Sequence, residues 1–389
     1  MERVYMDNAS ATPMRSEVRE AMLPYHDHYF ANPSTVHDMG TAAREAVEEA
    51  RGKVGGLIGA APERIVFTSS GAEANNMAIK GAALANKKKG NRVIVSGIEH
   101  HSVLNAARFL ERLDFEVAFL PVDDYGLVDP AALERLISSD TILVSIMHAN
   151  NEIGTMQPIT ELARICREHG ILFHTDAVAS VGAVPVDVLE LGVDMLSFSG
   201  TGMEAPKGTG GLYFGKNVRL MPLIHGGIQE RGMRAGTENV PGIVGLGKAA
   251  ELAALEIETE SRRLQQMRDG LASGISEGIS RVTHTGHPSL RLPGHVSFCF
   301  EAVEGEALLF MLAQKGIYAN TGSACASKAL KISPVLAALS LPHEVAQGSV
   351  VFTLNRNNTQ EEVNYVLEHL PPAVHSLRSF SPLWSEDAT

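Results

Sequence analysis

The sequence has few cysteines, few aromatic residues and no excess of positive charge. Its 389 residues include three cysteines and 5% aromatics, and the cysteine spacing fits neither a disulfide framework nor a zinc motif. Cys166 and Cys299 lie in apolar patterns and are expected in the core. The formal net charge of −12 argues against nonspecific binding to nucleic acid or anionic membranes. A reduced, cytoplasmic environment is therefore expected.

Long apolar segments are also missing. The first residues, MERVYMDNAS, carry charges and no apolar stretch, so they do not predict a signal peptide. No apolar run is long enough to cross a bilayer, and no membrane association is expected. What is present, 44% hydrophobic and 20% charged residues, is typical of a globular chain with a large core.

Short apolar runs alternate with amphipathic helical stretches along most of the chain. The runs that predict strands in this part are RIVFTS, NRVIVSG, FEVAFLP, TILVSIMH, ILFHTDA, DMLSFSG and GGLYFG. This alternation predicts an α/β fold with a mostly parallel sheet covered by helices on both faces. A long helix at about 241–277 and an α+β pattern follow. We therefore expect a large domain at 14–257 and a small α+β domain made of 1–13 and 258–389.

Polar clusters directly follow several of these predicted strands. The segment SSGAEANN opens a helix, so its backbone N–H groups suit a phosphate. His100, Asn151 and Asp176 each come after a different strand. A lone buried Asp or His is usually a structural hydrogen-bonding group. Several polar groups at successive strand ends instead favour a ligand site, because ligands in open α/β sheets bind beyond the carboxyl ends of the strands.

The motifs, in order along nearly the whole chain, resemble those of NifS/IscS-type cysteine desulfurases. They are YMDNASATP, NPSTVH, SSGAEANN, EHHSVLN, HANNEIGTMQPI, HTDAVASVG, SFSG followed by PKGTGGLY, HGGIQERGMRAGTENVP, NTGSACAS, LNRNNTQEEV and SPLW. The resemblance implies a homodimer of pyridoxal-phosphate (PLP) fold-type I, with a seven-stranded large domain and PLP between the domains. It also implies a cysteine substrate and transfer of persulfide sulfur to an IscU-type Fe–S scaffold protein.

The resemblance assigns roles to individual residues. His100 resembles the histidine that stacks on the PLP ring, Asp176 the carboxylate that pairs with the pyridinium nitrogen, and Asn151 the asparagine near the ring hydroxyl. The other assignments are the phosphate turn Gly71 and Ala72, the phosphate ligands Ser199 and (from the second subunit) Thr237, the substrate-carboxylate ligand Arg356, and the persulfide cysteine Cys325.

One segment departs from the family pattern. The family has SFSGHK, whose lysine binds PLP covalently, whereas this chain has SFSGTG, with Thr201 at the histidine and Gly202 at the lysine. Ala179 stands where glutamine is usual, and Ala72 where threonine is usual. Because the PKG turn that follows is in register, Lys207 is not expected to substitute. Positioned acid–base catalysis is worth about 10²–10⁴ in rate, so ordinary turnover should be very slow.

Two interpretations of function follow. In the first, a degenerate desulfurase homologue docks an IscU-type scaffold and uses Cys325 to ligate a nascent Fe–S cluster or to hold sulfur. Lys328 and Lys331 would favour the thiolate, and the SPLW tail favours docking. In the second, the chain is a working PLP-dependent desulfurase with an unusual base, which the presence of Asp176, His100 and Arg356 favours. A PLP lyase acting on another amino acid is a more remote alternative.

Overall fold

The computed structural model describes residues 3–322 and 332–385. The strands are β1 (Val4–Tyr5), β2 (Ile65–Thr68), β3 (Arg92–Ser96), β4 (Glu116–Leu120), β5 (Thr141–Ser145), β6 (Leu172–Asp176), β7 (Met195–Ser199), β8 (Gly210–Phe214), β9 (Val282–His284), β10 (His295–Phe300), β11 (Ile317–Tyr318) and β12 (Ser349–Thr353). The helices are α1 (Ser16–Met22), α2 (Pro24–Asp27), α3 (Asp38–Ile58), α4 (Gly71–Asn86), α5 (His101–Glu111), α6 (Pro130–Leu136), α7 (Ile159–Glu168), α8 (Val188–Leu191), α9 (Val240–Gly278), α10 (Gly305–Gln314), α11 (Pro334–Ala338), α12 (His343–Ala346) and α13 (Gln360–Phe380).

Seven strands form one sheet, in the order β2-β8-β7-β6-β5-β3-β4. The five strands from β7 to β4 in this order pair in parallel, and β8 runs antiparallel to both of its neighbours. The central strands β5 and β7 are buried along their whole length, as expected for a sheet covered on both faces. The predicted α/β fold with a mostly parallel seven-stranded sheet is confirmed.

Helices cover both faces of this sheet because successive side chains of a strand point to opposite sides. On β3, Ile94 packs into the apolar cluster that includes residues of α3, α7 and α9. Its neighbours Val93 and Val95 pack into a second cluster, with α4 and α5. The long helix predicted at about 241–277 is confirmed as α9, which packs along α3.

A third apolar cluster lies in the C-terminal part of the chain. Strand β10 pairs antiparallel with both β12 and β9, and α10, α13 and the second half of α9 pack on this sheet. The N-terminal segment joins the same cluster, because β1 pairs with β11 and buries Val4 and Met6 there. The domain boundaries at 14–257 stay a prediction.

The cysteines and the membrane expectation can be compared with this fold. Cys166 and Cys299 are fully buried, as predicted, and burial raises the pKa of both thiols to about 12. Cys325 lies outside the described residues. Within the described ranges, no helix combines the length and the apolar character needed to cross a membrane. The same ranges hold no group of three or more His, Cys, Asp or Glu side chains that could bind a metal ion.

Candidate active site

A cavity of about 240 Å³ opens at the carboxyl ends of the parallel strands, and we call it the sheet-edge cavity. Strands β2, β3, β5, β6 and β7 each contribute wall residues at or just beyond their ends. The predicted site residues in this wall are Gly71, Ala72, His100, Asn151, Asp176 and Ser199. The structure thus brings six separate sequence positions to one place, at the edge where α/β sheets bind ligands.

Asp176 is the last residue of β6 and is buried. The Asn75 amide donates to its Oδ2 at 2.6 Å, and the Val178 backbone N–H donates to its Oδ1 at 3.0 Å. Asn75 also donates to the Ser102 hydroxyl at 2.9 Å, which fixes the amide. Burial raises the pKa of Asp176, and the hydrogen bonds oppose that shift. The carboxyl group is therefore held in one orientation in the cavity wall.

His100 caps the N-terminus of α5. Its Nδ1 accepts from the Ser102 backbone N–H at 3.1 Å and lies 2.7 Å from the Ser102 hydroxyl. Burial lowers the pKa of His100, although the charge of Asp176 opposes this. Burial thus favours the neutral form of the imidazole, which adds an aromatic ring to the cavity wall next to the carboxyl group.

The N-terminus of α4 forms another part of the wall. The Ser70 hydroxyl caps this helix by accepting from the Glu73 backbone N–H at 3.1 Å. A side chain at Gly71 would collide with Val178, so only glycine lets the helix start this close to β6. Ser199 ends β7 and lines the same cavity. Helix N-termini attract anions, and this end of the cavity therefore suits a phosphate group.

No lysine among the described residues lines the sheet-edge cavity. Gly202 lies on the wall of an adjacent cavity of about 120 Å³, which we call the side cavity. Lys207 is exposed and lines a separate surface pocket, together with Asn355 and Asn357. The described residues therefore place no amine where the family's lysine would contact a cofactor.

The side cavity holds Arg356 and a buried acid, Glu204. Arg356 is exposed and lines this cavity, not the sheet-edge cavity. Glu204 has a left-handed backbone, with φ of +56°, and its Oε1 accepts from the Asn355 amide at 3.0 Å. Burial raises the pKa of Glu204 to about 7, and the charge of Arg356 opposes the shift. The arginine predicted to bind a substrate carboxylate thus lies near a carboxyl group of this chain.

Thr237, a predicted phosphate ligand, is not part of either cavity wall. Thr237 is exposed, and its proposed contact with a second subunit stays a prediction. The segment leading to it is anchored by Glu230, which is buried with Arg51 at 2.8 Å and also accepts from the Phe67 backbone N–H at 2.8 Å. Cys325 lies outside the described residues, so its role also stays a prediction.

Sequence reasoning missed three residues that line the sheet-edge cavity or support its wall. Asn75 was detectable, because it lies four residues after Gly71 and so on the same helix face. Glu99 is buried; its Oε1 accepts from the Ser96 hydroxyl and the Met147 backbone N–H, both at 2.7 Å, and burial raises its pKa to about 8. Ser10 reaches the cavity from the N-terminal segment, far away in the chain.

His295 of β10 contacts the turn that carries Asn151. Its Nε2 donates to the Asn151 carbonyl at 3.0 Å, and burial lowers its pKa to about 3, so the ring is neutral. The turn also needs Gly154, whose φ is +76° and whose missing side chain leaves room for the His295 ring. No local sequence pattern could have predicted this contact, because the two positions are far apart in the chain.

A fixed carboxyl group, an imidazole ring and a helix N-terminus around one sheet-edge cavity define a site of the fold-type I PLP class. The aminotransferase class-V family matches residues 4–366. The cysteine desulfurase IscS of Methanosarcina thermophila is 53% identical over 98% of this chain and 94% of its own length, and IscS 1 of Archaeoglobus fulgidus is 50% identical over 98% and 99%. The chain belongs to the class-V aminotransferase family, in its IscS/NifS cysteine desulfurase branch.

Solved structures agree with this assignment. A NifS-like protein superposes with a TM-score of 0.91 at 37% identity, covering 96% of this chain and 100% of that one. The apo cysteine desulfurase of Thermococcus onnurineus superposes with a TM-score of 0.87 at 28% identity, covering 96% and 95%. The resemblance inferred from the motifs is confirmed.

The sheet-edge cavity fits noncovalent binding of PLP, the cofactor that this family implies. The buried carboxyl of Asp176 suits the ring nitrogen, His100 adds an aromatic wall, and the start of α4 with Ser199 suits the phosphate. Ala72 and Ala179 line the cavity without offering a side-chain hydrogen bond. The described residues therefore fit the group but supply no covalent attachment.

Proposed function

We propose that this chain is a homodimeric, cytoplasmic IscS-type protein of Fe–S cluster assembly in which PLP catalysis is degenerate. It docks an IscU-type scaffold and uses Cys325 to ligate a nascent cluster or to hold sulfur. The observation that carries the proposal is the sheet-edge cavity, which keeps its carboxyl, imidazole and helix N-terminus but has no lysine among the described residues of its wall. The relatives named cysteine desulfurase IscS support the part of the proposal that concerns Fe–S cluster assembly.

PLP, when bound, supplies a ring that withdraws electrons from a substrate amino acid. In this chain Asp176 would hold a proton at the ring nitrogen, because its carboxyl group is already fixed by Asn75. His100 would contact the ring, and the backbone N–H groups at Gly71 and Ala72 would bind the phosphate. None of these residues is an amine that could replace the missing lysine, which is why turnover should be slow.

Cys325 carries the second half of the proposal. Its sequence neighbours Lys328 and Lys331 would favour a thiolate, and a thiolate is both the sulfur nucleophile and the ligand that Fe–S clusters use. The other two cysteines cannot take this role, because both are buried and their pKa values are raised to about 12.

A working desulfurase with an unusual base is the second candidate, and one observation favours it. Glu204 lies two residues after Gly202, and its pKa of about 7 is close to the operating pH that suits a general base. Its position in the side cavity, and not the sheet-edge cavity, argues against direct contact with a cofactor.

Visible absorption spectra of the purified protein, with and without added PLP, separate the two candidates. We expect weak, reversible PLP binding, no pyridoxyl-lysine after borohydride treatment and peptide mass mapping, and very slow release of sulfur from cysteine. A modified lysine, on Lys207 or elsewhere, together with rapid alanine formation, would establish a working desulfurase and contradict the proposal of degenerate PLP catalysis.

The cluster role is tested by mixing the protein with an IscU-type scaffold, iron and sulfide. We expect a coloured complex whose cluster becomes labile in Cys325→Ala while scaffold docking stays nearly unchanged. Ser327→Ala, two residues away, is the matched control and should keep the parent lifetime. Equal cluster lifetimes in the parent and Cys325→Ala would show that Cys325 is not a ligand.

A further inference from the structure

Glu204 lines the side cavity with a carboxyl group that its own chain binds on one oxygen only. The residue is 7% exposed, and the Asn355 amide donates to its Oε1 at 3.0 Å. Among the residues that the structure describes, none forms a hydrogen bond with Oε2. Removing a carboxylate from water without enough donors costs free energy, so a hydrogen-bond donor bound in the cavity would stabilise this oxygen.

The backbone of Glu204 is held in a conformation that needs support. Its φ of +56° lies in the left-handed region, which residues other than glycine rarely adopt. Its N–H donates to the Thr201 carbonyl at 3.2 Å, and its carbonyl accepts from the Arg15 N–H at 3.2 Å. Strained backbone of this kind is concentrated at functional sites. The two hydrogen bonds therefore fix an acid on the cavity wall by a turn that is costly to form.

The other charged groups around this cavity are paired or lie in solvent. Glu256 and Glu260, both on α9, each pair with an arginine, at 2.7 Å and 2.9 Å. Arg356 is exposed and forms no hydrogen bond or ion pair within the described part of the chain. Solvent therefore screens its charge, and it does not occupy the free oxygen of Glu204.

The remaining wall of the side cavity is mostly apolar. Its large side chains are Met203, Ile257, Leu264 and Leu354. The volume of about 120 Å³ is somewhat smaller than the roughly 150 Å³ of an engineered cavity that binds benzene, so a ligand of about four or five non-hydrogen atoms fits. A carboxylate beside a small apolar wall suits a short alkyl chain that ends in an ammonium group.

We propose that the side cavity is a binding site for a small primary amine. The ammonium group donates to Oε2 of Glu204, and the short alkyl chain packs on the apolar wall. Gly202 lines the same cavity, so the ligand brings an amine to the part of the molecule where the chain itself supplies none. The site needs neither PLP nor a scaffold protein, and it is therefore independent of the proposed function.

Amine binding should depend on the protonation state of Glu204. Burial raises the pKa of Glu204 to about 7; the charges of Glu256 and Glu260 add to this shift, whereas Arg356 and Arg15 oppose it. An alkylammonium group, like that of lysine, stays protonated up to about pH 10. The ionised fraction of a group with a pKa of about 7 rises about ten-fold from pH 6 to pH 8, and we expect the affinity to rise about ten-fold with it.

A ligand-observed NMR titration of the full chain with n-propylammonium chloride at pH 8 tests the site. We expect a dissociation constant of about 1 mM, because a ligand of four non-hydrogen atoms cannot bind much more tightly. Glu204→Gln should weaken binding at least ten-fold and keep the hydrogen bond from Asn355. Glu306→Gln, at an exposed acid of α10, is the matched control and should bind as the parent does. 1-Propanol, which has the same size and no charge, should not bind.

Arg356→Gln tests whether the arginine holds the ligand instead of the acid. We expect propylammonium to bind at least as tightly as in the parent, because a nearby cation has been removed. Loss of binding in this variant, or tighter binding of propionate than of propylammonium to the parent, would show an anion site and overturn the proposal. Equal propylammonium affinities at pH 6 and pH 8 in the parent would also overturn it, whether or not the Glu204 variant folds.

Discussion

The sheet-edge cavity and the side cavity are separated by residues 201–202, and they balance their charges differently. In the sheet-edge cavity, the single acid Asp176 is bound by an amide and a backbone N–H, with no cation paired to it among the described residues. The side cavity contains both acids and arginines. One such pair is Glu256 with Arg15, at 2.7 Å. A carboxyl group held by neutral donors still offers its charge to a ligand, whereas one paired with arginine is already neutralised.

This difference shows what the site lacks around position 202. Position 202 carries no amine, and the charged groups Glu204 and Arg356 line the side cavity. The opposite wall of the sheet-edge cavity, around Asp176 and His100, keeps its hydrogen bonds. The part of the wall around Asp176 and His100 is therefore intact, whereas position 202 supplies no amine.

Gly202→Lys should give the largest change, because it adds an amine at the border of the two cavities. A Cβ there would lie 3.3 Å from the carbonyl oxygens of Val178 and Val181, which requires only small shifts. We expect covalent trapping of PLP by borohydride to appear. Affinity should stay roughly ten- to hundred-fold below that of a site with the usual glutamine and threonine, since each missing hydrogen bond costs about 1 kcal/mol.

Gly202→Met is the matched control for that change. It has a similar length without the amine, and it should show no trapping and no gain in PLP affinity. Full desulfurase activity of Gly202→Lys would show that the changes at Ala72, Ala179 and Thr201 matter less for catalysis than we expect.

Asp176→Asn should weaken PLP binding by roughly ten- to hundred-fold, since hydrogen bonds to charged groups contribute about 1.5–3 kcal/mol. The measurement is a spectroscopic titration of the apoprotein with PLP at pH 7.5. Asp129→Asn is the matched control, because this exposed helix cap keeps its function as asparagine. Equal affinities for the parent and Asp176→Asn would mean that the carboxyl group does not face the cofactor.

Glu204→Gln should give the smallest effect, and it concerns stability. The pKa of Glu204 rises from 4.5 to about 7 on folding, so between these values the folded state binds more protons than the unfolded state. The contribution of Glu204 to the free energy of unfolding, fully present below pH 4.5, is then lost as the pH rises through 7. Allowing for solvent in the cavity, we expect the parent to lose about 1 kcal/mol between pH 5.5 and 8 that Glu204→Gln keeps.

Urea unfolding at the two pH values measures this difference, with the exposed Glu306→Gln as a control that should follow the parent. PLP affinity should not change in Glu204→Gln, because that side chain lines the other cavity. A large loss of PLP affinity would place Glu204 in the cofactor site and favour the working enzyme.

Much of the site could be predicted from local patterns. The residues that follow predicted strands, His100, Asn151 and Asp176, meet in one cavity because parallel strands end at the same edge of a sheet. The absence of an amine at Gly202 was also visible in the sequence, because the flanking motifs are in register. Helix periodicity also places Asn75 on the same face of α4 as Gly71, although its hydrogen bond to Asp176 is set by the tertiary structure.

The sequence by itself determined the strand and helix order, the family, and the set of polar residues at the strand ends, since each depends on spacing of a few residues. Only the tertiary structure decided that Arg356 lines the side cavity, that His295 supports the turn of Asn151, and that Trp384 packs on its own chain. Arg356 and Glu204, His295 and Asn151, and Trp384 and Arg281 are pairs whose members lie about a hundred or more residues apart in the chain. They depend on how the small unit packs against the sheet and on burial, which no local pattern of residues encodes.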